Sequence, residues 1–271
     1  MLSTPARHRS VFQPILSLAD GQVAGYEGLS RFDAEPLRSP DQWFAEATRA
    51  GLGAEFQAAA IERVLAAATA ARLPDRSFVS VNVSPRYLAH PAVAAAVGPA
   101  DPARLVIELT EEETVDDYAT LRRVMNPYLE LGIRFAVDDA GAGFASMRHI
   151  TELGPAFVKL DAYLVRGLRT RHTLQAFLRA INGFAIEIGA VLIAEGVEQT
   201  TDLALLTQTG FPVLAQGYAI AHPGPPWPRV SVNARRAWLA AHSGRPLAES
   251  AASDRPGTGG AAPVVTGRPD A

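Results

Sequence analysis

Arg134-Phe135-Ala136-Val137-Asp138-Asp139-Ala140-Gly141-Ala142-Gly143-Phe144 reads as a short apolar strand running straight into two adjacent carboxylates and a Gly-x-Gly turn. Neighbouring like charges at the end of a buried strand raise each other's pKa unless a cation neutralises them. The glycines let the backbone turn sharply and come close to whatever sits there. Asp before glycine-rich sequence is also common in plain strand-to-helix turns. The stretch alone therefore leaves a metal site and a simple turn about equally open, and its neighbours have to decide.

Outward from it, short apolar strands alternate with helical patterns. Towards the C-terminus the strands are Phe157–Leu160, Val191–Ala194 and Phe211–Ala215, with helices over about 144–150, 173–188 and 200–209. Towards the N-terminus they are Leu105–Leu109 and Phe78–Asn82, with helices over about 117–131 and 54–72 and a helix start at Ser84-Pro85. Another helix starts at Pro40-Asp41, with Asp41 as its cap. Strands and helices at this spacing indicate βαβ units and a parallel sheet. The chain opens differently, because Val11–Leu18 and Val23–Phe32 flank the turn Ala19-Asp20-Gly21-Gln22, so the first two strands are expected to be antiparallel. Counting that hairpin gives about eight strands, which predicts an α/β fold, a TIM-type (β/α)8 barrel with an antiparallel first strand. An open doubly wound sheet would want a glycine fingerprint after the first strand, and Asp20-Gly21-Gln22-Val23 is not one.

Beyond Pro223 the register breaks. Pro225, Pro226 and Pro228 read as a rigid linker, and Asn233 as the cap of a helix over 234–242. This predicts a barrel domain over 1–243, its motif-bearing core at about 10–225, and a disordered Pro/Gly/Ala-rich tail over 244–271.

Composition narrows the class. Over 271 residues, 48% hydrophobic and 20% charged content describe an ordinary globular protein. A net charge of -3 offers no basic stripe for duplex nucleic acid but leaves room for a small phosphate ligand. With no cysteine, disulfides, thiolate zinc sites and cysteine nucleophiles are excluded. Arg7, His8 and Arg9 are followed by no apolar h-region, and no window approaches a membrane span, so a cytoplasmic protein without a membrane partner is expected.

Polar side chains recur at equivalent places, inside or just after the short apolar runs: Glu27, Asn82, Glu108, Asp138 with Asp139, Lys159, Glu195 and Gln216. Singly, each has an ordinary reading: a surface Glu, a solvated Lys at a strand end, a loop Gln. Independent accidents would be scattered, whereas these fall on nearly every strand. In such a barrel the strands' C-terminal ends share one mouth, where active sites are built from successive strands. Carboxylates outnumbering one lysine there need a cation, and oxygen-only donors suit Mg²⁺ or Mn²⁺. The six histidines show no ligand spacing, His149 and His172 reading as surface or helix-packing residues. The residues thus point to a Mg²⁺- or Mn²⁺-dependent hydrolase acting on a phosphate ester.

The motifs Glu27-Gly28-Leu29, Asn82-Val83-Ser84, Glu108-Leu109-Thr110-Glu111, Asp138-Asp139, Lys159-Leu160-Asp161, Ala194-Glu195-Gly196-Val197-Glu198 and Gln216-Gly217-Tyr218, in this order, resemble the EAL domain, here as a stand-alone member. The resemblance implies a cyclic di-GMP phosphodiesterase that forms linear pGpG with two metal ions per site, and a homodimer. It implies that Glu27, Asn82, Glu108, Asp138 and Asp139 are metal ligands, Asp139 also anchoring the catalytic water. Lys159 would orient water and steady phosphate charge, and Glu195 would be the general base or a second-metal partner. Gln13, Arg31 and Gln216 would contact substrate, while Glu111 and Glu198 would support loops. Two departures stand out. Gly28 replaces the family's alanine, which is expected to loosen the strand slightly, and the usual Asp-Asp-Phe-Gly-Thr-Gly loop reads Asp-Asp-Ala-Gly-Ala-Gly. Ala140 and Ala142 thus bring in the alternative of a cyclic di-GMP receptor or interaction module without turnover. With no sensor or receiver domain in the sequence, regulatory input is expected from a partner protein, oligomerisation or expression level.

Overall fold

The computed structural model describes residues 8–110, 115, 117–140, 144–210 and 213–244. The predicted Glu111, the loop glycines Gly141 and Gly143, Ala142, the strand start Phe211 and the tail from 245 lie outside the described residues.

β1 (His8–Ser17) and β2 (Val23–Phe32) form the antiparallel hairpin expected from the turn between them. Gly21 in that turn has φ +68°, and a Cβ there would lie 2.8 Å from the Trp238 ring, so both the backbone and the close approach require glycine. From β2 onward every neighbour is parallel: β3 (Phe78–Val83), β4 (Leu105–Leu109), β5 (Arg134–Ala140), β6 (Phe157–Leu160), β7 (Val191–Ala194) and β8 (Leu214–Ala215). The order β1 to β8 closes into a barrel, with β8 antiparallel to β1 through Leu16↔Ala215 and Ser17↔Leu214. The α-helices are α1 (Pro40–Arg49), α2 (Gly53–Ala70), α3 (Pro91–Val97), α4 (Tyr118–Glu130), α5 (Phe144–Leu153), α6 (Ala162–Val165), α7 (His172–Glu187), α8 (Thr200–Gln208) and α9 (Val232–His242). Among the described residues no helix is long and apolar enough to cross a membrane.

Side-chain alternation positions the site. Residues such as Phe12, Ile107, Leu109, Phe135, Val137 and Leu192 join the large core shared with the helices. The alternate residues Ile15, Phe78, Val106, Ala136, Phe157 and Ile193 form a second, smaller cluster that draws one residue from each of six strands and fills the barrel's interior. Two residues further along each parallel strand the same face turns polar: Val106 gives way to Glu108, Ala136 to Asp138, Phe157 to Lys159, Ile193 to Glu195 and Leu214 to Gln216. On β1, which runs the other way, the polar residue precedes the apolar one, Gln13 before Ile15. A one-residue slip on any strand would push its carboxylate into the helix-facing core, so burial on both faces fixes the register.

The structure corrects three local expectations. Ser39, not Asp41, caps α1: its side chain accepts from Gln42 N while its own N–H donates to Gln42 Oε1 at 3.1 Å. This is a capping box, with Asp41 left in the first turn, where its charge suits the helix dipole. Ser231, not Asn233, caps α9 by accepting from Ala234 N at 3.1 Å. The proline-rich segment is no linker. Gly224 exchanges backbone hydrogen bonds with Phe12 at 2.8 and 3.0 Å, and the Trp227 indole donates to Ala71 O at 2.9 Å. The same indole packs its ring 4.8 Å from both Phe12 and Tyr26. The prolines flank this docked strap, where the missing N–H groups break no ladder.

Candidate active site

β5 ends in an irregularity that sequence reading missed. Val137 pairs with Val158 and Ala140 with Leu160, so Asp138 and Asp139 together stand opposite the single residue Lys159. Strict alternation would send one of two successive carboxylates away from the interior. The bulge bends the strand, and Asp139 takes a left-handed backbone (φ +51°) with its N–H donating to Asp138 Oδ1 at 3.0 Å. Bulges re-aim side chains in this way, and Asp is among the few non-glycine residues that tolerate such a φ. Ala140 closes β5 fully buried, packed into the main core.

Lys159 stands at the centre. Its side chain is 2% exposed, and Nζ lies 2.6 Å from Glu108 Oε2, 2.8 Å from Glu195 Oε1, 3.0 Å from Asp138 Oδ1 and 3.8 Å from Glu27 Oε1. Four strands thus deliver carboxylates to one ammonium. Glu27 is held from the other side: Asn82 Nδ2 donates to its Oε1 at 3.0 Å and Gln216 Nε2 to its Oε2 at 2.5 Å. Gln216 also donates to Gln13 Oε1 at 3.0 Å, and Gln13 in turn donates to Ala221 O at 3.0 Å. The side-chain amides of Gln13 and Gln216 accordingly brace Glu27 in this structure. Arg31 donates to Ser30 O at 2.9 Å beside the mouth. Glu198 lies apart from the ring, paired at 2.5 Å with Arg166 next to α6. His149 packs between helices, Tyr118 Oη lying 2.7 Å from its Nδ1.

The ring opens into a cleft of about 770 Å³. Glu27, Asn82, Asp138 and Asp139 meet its floor, and Arg31, Thr110, Ser84 and residues of α1 and α2 form its walls. Of the wall residues, Arg31, Ser84 and Thr110 belong to stretches named in the sequence, whereas Phe44, Thr48, Arg49 and Tyr87 were absent from the sequence reading. The available signal was Phe44 and Thr48 four apart on one face of α1, with Tyr87 Oη donating to Thr48 Oγ1 at 3.1 Å. Gly28 also lines the cleft. A Cβ at that position would lie 2.2 Å from Val64 Cγ1, so the departure from alanine lets α2 seat against β2 instead of merely loosening the strand.

Electrostatics follow from burial. Removal from water pushes the Glu108 carboxyl up to about 7, with Glu27 and Asp138 adding to the rise and Lys159 opposing it. Burial raises Glu195 well above the carboxylate range for the same reasons. Burial alone would lower Lys159, but Asp138, Glu108, Glu195 and Glu27 outweigh it and hold the ammonium well above its usual pKa.

The donor set suits hard divalent cations. Every candidate ligand atom is an oxygen, and Glu108 Oε1 is buried with no hydrogen-bond partner among the described residues. Asp138, Asp139 and Glu195 each bring one oxygen within 4.8 Å of the others. Oxygen-only clusters of this kind select Mg²⁺, Mn²⁺ or Ca²⁺ over softer metals.

A closed α/β barrel with an antiparallel first strand and an acidic ring at its C-terminal mouth defines the class, a barrel protein whose site is equipped for cations. The chain belongs to the EAL domain family, whose profile matches residues 6–223. It is 31% identical over 223 residues to an uncharacterized signaling protein of Caulobacter vibrioides, covering 79% of this chain and 27% of that one. It is 28% identical to a cyclic di-GMP phosphodiesterase of Pseudomonas aeruginosa, covering 79% of this chain and 38% of that protein. The chain therefore spans well under half of these relatives. Among solved structures, Klebsiella pneumoniae BlrP1 in complex with calcium and cyclic di-GMP superposes with a TM-score of 0.72. That pair is 26% identical, over 85% of this chain and 59% of that one.

Proposed function

We propose that this EAL domain hydrolyses cyclic di-GMP to linear pGpG with Mg²⁺ or Mn²⁺, two ions per site. The observation that carries the reading is the convergence of Glu27, Glu108, Asp138 and Glu195 on Lys159 at the floor of a nucleotide-sized cleft, with Asp139 beside them. Glu27, Asn82, Glu108, Asp138 and Asp139 would hold the cations. When bound, such a pair neutralises phosphate charge and lowers the pKa of an attacking water. Gln216 and Asn82 fix the Glu27 carboxylate, and Glu195, made more basic by burial, would take the proton of that water. Lys159, its ammonium held well above its usual pKa by the surrounding carboxylates, would offer its charge to the phosphate. Arg31, at the mouth, supplies a guanidinium for a phosphate oxygen, and Gln13 and Gln216 complete the substrate side, with Glu111 and Glu198 steadying loops. The Pseudomonas aeruginosa relative, a cyclic di-GMP phosphodiesterase, and the cyclic di-GMP complex of Klebsiella pneumoniae BlrP1 support the substrate. The proposal includes a cytoplasmic homodimer and a domain reaching residue 243, the latter supported by Trp238 on α9 donating to Leu18 O at 2.9 Å.

The test is conversion of cyclic di-GMP to pGpG by purified protein over a series of metals. Turnover with Mg²⁺ or Mn²⁺, abolished in Glu27→Ala and Glu195→Ala, is the expected result. Calorimetric binding of cyclic di-GMP in Ca²⁺ with no product in Mg²⁺ or Mn²⁺ would instead make the domain a receptor.

A further inference from the structure

The opposite end of the barrel carries a second, separate concavity. A cavity of about 240 Å³ is lined by Arg76, Ser77, Phe78, Ala103, Arg104 and Arg134, at or just before the first residues of β3, β4 and β5. Three arginines thus line one small space. Some arginines elsewhere pair with acids, as Arg9 does with Asp33, Arg38 with Glu46, Arg122 with Glu152 and Arg166 with Glu198. None of these three has a carboxylate within 4.0 Å among the described residues.

Two of the three are held in place by other contacts, and the third is exposed. Arg134, on the interior face of β5, has its guanidinium carbon 5.3 Å from the Phe78 ring and 5.2 Å from the Phe157 ring, and its Nε is buried without a hydrogen-bond partner. Arg104 donates from Nε to Ser77 O at 2.9 Å and from a terminal nitrogen to Leu73 O at 3.2 Å and to Pro74 O. Arg76 is exposed and sits at φ +63°, a backbone that glycine would adopt more easily. A buried, unsatisfied donor on a stacked guanidinium is unfavourable unless an acceptor arrives. Planar guanidinium forks match the tetrahedral oxygens of phosphate, and three positive charges suit a dianion better than a single carboxylate.

We propose that this cavity at the N-terminal end of the barrel binds a phosphate group, either as the free ion or as the monoester of a small molecule. The site is remote from the acidic ring and independent of the hydrolytic reading.

The experiment is titration calorimetry on the full chain in chelator, so that no metal-held phosphate contributes, with inorganic phosphate, a nucleoside monophosphate and acetate as separate probes. One saturable phosphate site is expected. It should weaken about tenfold or more in Arg134→Gln and in Arg76→Gly, the loss of one charge-assisted contact. Arg76→Gly relieves an unfavourable backbone, so its melting temperature should hold or rise while binding falls, and it decides the matter if Arg134→Gln folds poorly. A monophosphate binding more tightly than phosphate supports an organic ester, and equal affinity supports the free ion. Absence of saturable binding by both phosphate probes, binding untouched by both substitutions, or acetate binding as well as phosphate would each overturn the proposal.

Discussion

The two ends of one barrel treat a cation in opposite ways. At the C-terminal mouth Lys159 is enclosed by four carboxylates, whereas at the N-terminal end, the floor of the barrel as a whole, Arg134 lies against Phe78 and Phe157 with no acid beside it among the described residues. Both point inward, one from β6 and one from β5. The upper charge is electrostatically essential, because the acids around it repel one another once it is gone. The lower one contributes mainly surface contact and a charge directed at a cavity. Burial of a charge is therefore no single property: the partners decide whether it holds the fold together or stands ready for a ligand.

The contrast can be broken most severely through activity. Glu195→Gln should lower cyclic di-GMP turnover by about 10²–10⁴-fold, the span for a lost general base, while Arg134→Gln leaves turnover at the parental level. Steady-state rates with Mn²⁺ and Mg²⁺ check both, and a loss in the floor variant would join the two ends.

Next comes stability. Lys159→Met, measured by urea unfolding in chelator, should destabilise by about 3–5 kcal/mol, because it strands buried carboxylates. Adding Mn²⁺ should recover much of that. Arg134→Met should lose about 1 kcal/mol, the scale of a partly desolvated cation–π contact, and Mn²⁺ should not help it. Equal losses would erase the distinction.

A smaller effect probes the wall between the two ends. Gly28→Ala places a methyl against Val64, and overpacking of this kind destabilises by about 1–3 kcal/mol. The double variant with Val64→Ala should recover most of it, which thermal melting would show.

The smallest effect is in pH. In chelator the folded Glu108 carboxyl titrates near 7 because burial disfavours its charge, against 4.5 for the free group. Between those values the folded state holds a proton that the unfolded chain has released. Its contribution to stability is therefore full below about 4.5 and is lost as pH rises towards 7. Glu108→Gln should flatten the melting temperature across that window. A profile unchanged by the substitution would mean that the carboxylates, and not burial, control the upper end.

Much of the mouth was legible in the sequence because alternation is a local rule. Val106-Ile107-Glu108 and Ile193-Ala194-Glu195 announce an inward acid two residues beyond an inward apolar residue, and repetition on successive strands made chance implausible. The antiparallel start was legible in Asp20-Gly21. The bulge was not, since two successive aspartates at a strand end read equally as the start of a turn and only the β6 partner reveals the extra residue. The place of Lys159 among four carboxylates required the barrel to close. The caps at Ser39 and Ser231 could have been read, each standing three residues before the N–H it accepts, but the adjacent Asp41 and Asn233 competed as equally good cap types. Trp227 docking on Phe12 and Tyr26, and the three arginines at the floor, join segments far apart in the chain. No spacing rule connects them.

The closure of β1 onto β8 bears on how the chain matures. Among the described residues only Leu16↔Ala215 and Ser17↔Leu214 pair there, and the bolt across the joint is the Phe12–Gly224 exchange, followed by Trp227 and Trp238 reaching back to the first helices and strands. Within this domain β1 is therefore synthesised roughly two hundred residues before the segment that covers its second edge. During synthesis β1 has β2 on one side and an open ladder on the other, an interval in which the hairpin is the part most exposed to pairing with another nascent chain.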